Sequence, residues 1–154
     1  MEYPKIARLR QHFDAPQVED IPATTQAEAG RMIEEAGMQA GGTVAVAAGS
    51  RGITNYGSIV HNTVIALQQA ELKPFIIPAM GSHGGATPEG QLRVLAHYGI
   101  TEAAMGCPMK SDIEPEFITE TEDGLPVYVD RNALQADHMV IVNRVKPHTD
   151  FEGD

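Results

Sequence analysis

Disulfide chemistry is excluded at the outset, because the 154-residue chain holds a single cysteine, Cys107. One thiol closes no intrachain bridge, and without a Cys-x-x-Cys pair there is no thiolate clamp for zinc. Cys107 therefore reads as a small buried hydrophobe. Positive charge is also scarce: 11 Lys and Arg stand against 21 Asp and Glu, a formal net charge of −10. Such a surface repels a phosphate backbone and an anionic bilayer, which argues against nucleic acid and membrane as partners. It does not exclude an anionic small molecule, because the general field is screened beyond about 10 Å and a local arginine prevails. Long apolar runs are missing, so no segment has membrane-span length. Lys5, Arg8, Arg10 and His12 break up anything like a secretory core. The expected location is the cytoplasm. There is no internal repeat, no low-complexity tract and no phosphate-loop lysine behind a glycine run.

What remains is an ordinary globular composition, 42% hydrophobic and 21% charged, with 15 glycines and 10 prolines for tight turns. That is enough for one compact domain over residues 1–154. Residues 1–23 have weak periodicity and read as an arm. Thr25 and Glu28 have capping-box spacing ahead of Ala29, Met32, Ile33 and Ala36, which predicts a helix closed by Gly41 and Gly42. Residues 43–48 are short and almost wholly apolar, as in a strand buried on both faces. A loop, GSRGITN, and a helix through Ile59, Val60, Val64 and Leu67 follow. The cycle repeats with a strand over 75–80, the loop GSHGGAT, and a helix opened by Thr87 and Pro88 and stopped by Gly99. Residues 117–121 and 127–130 read as a small β-hairpin, 132–136 as a short helix, and 139–143 as a third buried strand leading into RVKPHTDFEGD. Strands alternating with helices predict an α/β fold: three layers, a mainly parallel sheet flanked by helices, and a hairpin insertion.

Each of the three strands runs into a loop with reactive side chains. The first loop has Ser50 and Arg51, the second Ser82 and His83, the third Lys146 and His148. Parallel strands deliver such loops to one crevice at their carboxyl ends. Arg51 can grip a carboxylate with a two-pronged fork. An imidazole takes and returns a proton near neutral pH. Two histidines on opposite faces of one carbon suit a reaction that inverts it in both directions. The glycines beside His83 allow close approach of backbone and substrate, and amides after Thr87 can receive an anion at a helix start. Asp150, Glu152 and Asp154 read as a solvated acidic loop.

The segments PAMGSHGGATPEGQ and VNRVKPHTDFEG resemble two signature segments of the N-terminal domain of nickel-dependent lactate racemases, and the similarity spans roughly residues 40–154. That resemblance implies a catalytic domain of a 2-hydroxy acid racemase or epimerase. It implies His83 and His148 as acid–base residues, and Ser50, Arg51, Ser82 and Lys146 as substrate contacts. Gly84, Gly85 and Thr87 are implied as contacts to a nickel pincer mononucleotide. A further C-terminal domain would carry the cofactor lysine and the nickel histidine, so no metal ligand is assigned here. By the same resemblance the chain is a piece of a longer protein, expected to hold no cofactor and to be inactive alone.

Two departures stand out. The family pattern D-x-T-R is replaced by Ala48-Gly-Ser50-Arg51, and Gly84 follows His83 where lactate racemases have arginine. This places the chain in a divergent branch with an altered substrate. Two other readings of the residues remain open. One is an anion- or nucleotide-binding module without redox chemistry. The other is a hydrolase with a common divalent metal on His83, His148 and Asp150.

Overall fold

In the computed structural model, residues 7–145 are described. Three parallel strands form the sheet: β1 (Thr43–Ala48) lies between β2 (Lys73–Pro78) and β5 (His138–Val142). Val46 sits opposite Ile76 on one side and Val140 on the other. Residues 44–48 are buried, as expected of a central strand covered on both faces. The second strand lies two residues earlier than the apolar run suggested, because Lys73 and Pro74 join the ladder opposite Thr43 and Val44. Its outer edge is covered: Ile76 N–H donates to Pro108 O (2.9 Å), and Lys110 N–H donates to Ile76 O (2.8 Å).

The third strand corrects an expectation. It is not buried like the others: Val140 is, but Met139 and Ile141 are 50% and 66% exposed. The reason is position. Met139 and Ile141 stand in register with Ala45 and Ala47 on the thinly covered face of the sheet, whereas Val140 turns to the main core.

The helices divide unequally between the two faces. α1 (Ile21–Glu35) and α2 (Tyr56–Gln69) pack together, joined by Gln26 Nε2 donating to Asn62 Oδ1 at 2.7 Å. With α3 (Pro88–His97) they enclose the main core, in which Val44, Val46 and Ile76 meet Val60, Val64, Leu67 and Leu95. The opposite face buries Ala45, Ala47, Phe75 and Ile77. Ala133 of α5 (Arg131–Leu134) and Ala136 beyond it pack there.

Helix ends follow local chemistry. α1 does not start at the Thr25–Glu28 box. Asp20 is its cap, accepting from Ala23 N–H at 2.9 Å, and Pro22 lies in the first turn, where its missing N–H costs nothing. The expected arm therefore ends at Asp20. Gly37, at φ +61, follows the helix before Gly41 and Gly42 are reached. One further element was not anticipated, the single turn α4 (Glu102–Met105), capped by Thr101 and closed by Gly106. Cys107 beside it is buried, as expected, and burial pushes its thiol up to about 11. It stays a thiol at neutral pH.

β3 (Pro115–Glu120) and β4 (Pro126–Asp130) form a separate antiparallel hairpin. Arg131 holds its base, pairing with Glu116 at 2.9 Å, Glu114 at 3.3 Å and Asp112 at 3.6 Å. These pairs are exposed to solvent and screened, so they add little to stability. No helix among the described residues is long and apolar enough to cross a membrane.

Candidate functional site

A parallel sheet sends every strand's exit loop to the same end. The loops after β1 and β2 meet there: Ser50 Oγ lies 2.7 Å from His83 Nδ1. The loop after β5 reaches the same place, because a methyl group on Gly49 would stand 2.7 Å from Asn143 Oδ1. Any larger residue there would have to push the Asn143 amide aside.

Three side chains support the arrangement from below. Tyr98, just past α3, donates from its hydroxyl to Ser50 O at 2.9 Å and so fixes the serine's backbone. Tyr56, at the start of α2, donates to Val142 O at 2.9 Å and ties down the end of β5. The two rings meet edge to face at 5.7 Å. Burial pushes the Tyr56 hydroxyl up to about 12; a hydrogen bond from the Gly49 backbone works in the opposite direction. Gln91 of α3 donates to Gly81 O at 2.8 Å and anchors the near end of the second loop.

The second loop is set by left-handed backbone at Gly84, Gly85 and Ala86, with φ of +69, +72 and +52. A Cβ on Gly84 would run into the backbone of Gly90, and one on Gly90 into Gly84 O. The loop is thus folded flat on the first turn of α3, and His83 is carried out toward the loop of β1. Thr87 caps α3 as expected, its oxygen accepting from Gly90 N–H at 3.1 Å while its hydroxyl lies 3.3 Å from Gly84 O.

Ser50 and His83 are therefore together, and Arg51 is next to Ser50 in the chain. Arg51 is exposed and makes no ion pair among the described residues, so its fork is free for a ligand. Ser82 is exposed in the same loop. Lys146 and His148, with the acidic residues Asp150, Glu152 and Asp154, lie outside the described residues. The supporting residues Tyr56, Tyr98, Gln91 and Asn143 were not singled out from the sequence. The first three read as helix residues, and only the folded chain turns their polar ends toward the loops.

The groups expected to meet a pincer mononucleotide have other duties here. Gly84 packs on Gly90, Thr87 is spent on the helix cap, and Gly85 alone faces open space. Among the described residues no cluster of three His, Cys, Asp or Glu could hold a metal ion.

No protein-family model, no curated protein and no solved structure matches the chain.

Proposed function

We propose that this end of the sheet is the substrate-binding and proton-transferring part of a 2-hydroxy acid racemase or epimerase. The observation that carries the reading is the 2.7 Å contact between Ser50 Oγ and His83 Nδ1, with Arg51 adjoining. Arg51 holds the substrate carboxylate. His83, oriented through Nδ1, presents Nε2 to the hydroxyl on the neighbouring carbon. The choice of serine matters. A carboxylate partner would favour the imidazolium, whereas a hydroxyl both donates and accepts. With Nδ1–H donating to Ser50 Oγ, Nε2 is free as the base, and the imidazolium formed when it takes the hydroxyl proton keeps that bond while Nε2–H returns the proton. One pair therefore serves both directions of a reversible reaction. His148, which follows β5 in the sequence, is proposed for the other face of the carbon. The hydride that leaves the carbon needs an acceptor that the described residues do not supply; the nickel cofactor of the resembling family would supply that chemistry when bound.

The test is chiral analysis of enantiopure 2-hydroxy acids incubated with the full-length gene product made in nickel-supplied cells, together with its His83→Ala variant. The expected outcome is interconversion that falls by on the order of 10² in the variant. A wild-type rate retained by His83→Ala would sink the proposal. The same contact has the spacing of a nucleophile and its base. Labelling of Ser50 by a fluorophosphonate, abolished in His83→Ala, would replace the racemase reading with acyl transfer.

A further inference from the structure

The large apolar side chains that stand in solvent are not spread evenly. Leu9 and Phe13 lie in the arm ahead of α1, and Phe117, Ile118, Leu125 and Tyr128 lie in the β3–β4 hairpin. Apolar groups gathered in this way mark a surface that meets another.

The two segments are matched in charge. Residues 7–13 hold Arg8 and Arg10 and no acid, in a chain whose formal net charge is −10. Residues 112–123 hold Asp112, Glu114, Glu116, Glu120, Glu122 and Asp123 and no lysine or arginine. Arg131 takes the first three. Glu120, Glu122 and Asp123 make no ion pair among the described residues, and neither do Arg8 and Arg10.

The geometry matches too. Residues 7–20 form no helix or strand and stand exposed throughout. β3 is exposed at every residue and, among the described residues, pairs with β4 alone, so its other edge is open. An extended chain puts Arg8 and Arg10 on one side and Leu9 and Phe13 on the other. Its apolar side can lie on Phe117 and Tyr128, whose rings meet edge to face at 5.8 Å, while its arginines reach the carboxylates toward the turn. The arm does not cover its own hairpin, because Leu9 is 97% and Phe13 73% exposed. The hairpin it fits is that of another molecule.

We propose that the chain dimerises by exchanging arms: residues 8–13 of each copy dock on the open β3 edge of the other's hairpin, held by Arg8 and Arg10 against Glu120 and Glu122. The exchange is reciprocal, so it closes a two-fold dimer and leaves neither hairpin open to a third copy. It is independent of the reading of Ser50, Arg51 and His83.

The experiment is sedimentation equilibrium of the full-length gene product at low and high salt, with two charge reversals. One variant carries Arg8→Glu and Arg10→Glu, the other Glu120→Lys and Glu122→Lys. All four side chains are exposed, so the fold survives the changes. The expected result is a reversible dimer that weakens with salt, as screening shortens the reach of the charges. Each variant alone should dimerise at least roughly tenfold more weakly, since two attractive pairs become repulsive. An equimolar mixture should recover the association, because each arm then meets a hairpin of opposite sign. A wild-type protein that stays monomeric over the concentration series would overturn the proposal. So would a dimer that neither variant weakens, or a mixture that associates no better than its components.

Discussion

At Ser50 the chemistry and the fold are decided by one hydroxyl. Its oxygen lies 2.7 Å from His83 Nδ1, and its carbonyl is held by Tyr98. The backbone is therefore fixed independently of the side chain, and Ser50→Ala should leave the fold intact while releasing the imidazole. The expected cost is on the order of tenfold in turnover, the worth of one hydrogen bond of about 1.4 kcal/mol, with KM little changed. Nitrogen NMR of the histidine rings checks the cause. His83 should change its ring-nitrogen shifts in the variant while the other histidines keep theirs. Unchanged His83 shifts would mean that the contact does not exist in solution. This residue pair was half visible in the sequence. Ser50, Arg51 and His83 stood out as polar groups in glycine-rich loops after apolar runs. The hydrogen bond between residues 33 apart depends on strand register, which no local pattern encodes. Tyr98 was hidden for a similar reason: its ring sits with α3, and only its hydroxyl serves the site.

Among the elements, the legible ones were those with local punctuation. Thr87 followed by Pro88 announced the start of α3, and Gly99, at φ +76, marked its end. The start of α1 was misplaced because two cap signals compete within a few residues, and the earlier one, Asp20 with Pro22 behind it, prevails. β5 has the composition of a buried strand, but its exposure is set by the thinly covered sheet face that Met139 and Ile141 meet. Two glycines show how element context changes the meaning of a residue. Gly30 lies inside α1 with nothing within 4 Å of a built Cβ. Gly30→Ala should raise stability by about 0.5–1 kcal/mol, because alanine loses less backbone freedom in a helix. Gly90 lies in the first turn of α3, where a Cβ would overlap Gly84 O and stand 2.7 Å from Thr87 Oγ1. Gly90→Ala should lower stability despite the same propensity gain, since backbone cannot yield as a flexible side chain does. Urea midpoints of the two variants test this. A stabilised Gly90→Ala would mean that the His83 loop does not lie on α3.

Across the whole molecule, the covered edge and the open edge of the sheet are held by different means. β2 is fastened on its outer side by backbone bonds to residues 108 and 110. β5 has no strand partner on its outer side among the described residues, and its carboxyl end is fastened by a side chain, the Tyr56 hydroxyl donating to Val142 O. That bond joins α2 to β5 and, through the ring of Tyr98, to the end of α3. It should leave a signature in the pH dependence of stability. Burial raises the folded-state Tyr56 hydroxyl to about 12, against about 10 for the unfolded chain. Below pH 10 both states keep the proton, and the contribution is fully present. Between about 10 and 12 the unfolded state loses its proton while the folded state keeps it, so stability falls as pH rises. Tyr56→Phe removes this dependence along with the hydrogen bond, at a cost of about 1 kcal/mol near neutral pH. The gap in urea stability between the two proteins should then close as pH rises past 10 and reverse in sign before about 11.5. A gap that stays constant over that range would show that the Tyr56 hydroxyl is solvated, and that the open edge of the sheet is not fastened in this way.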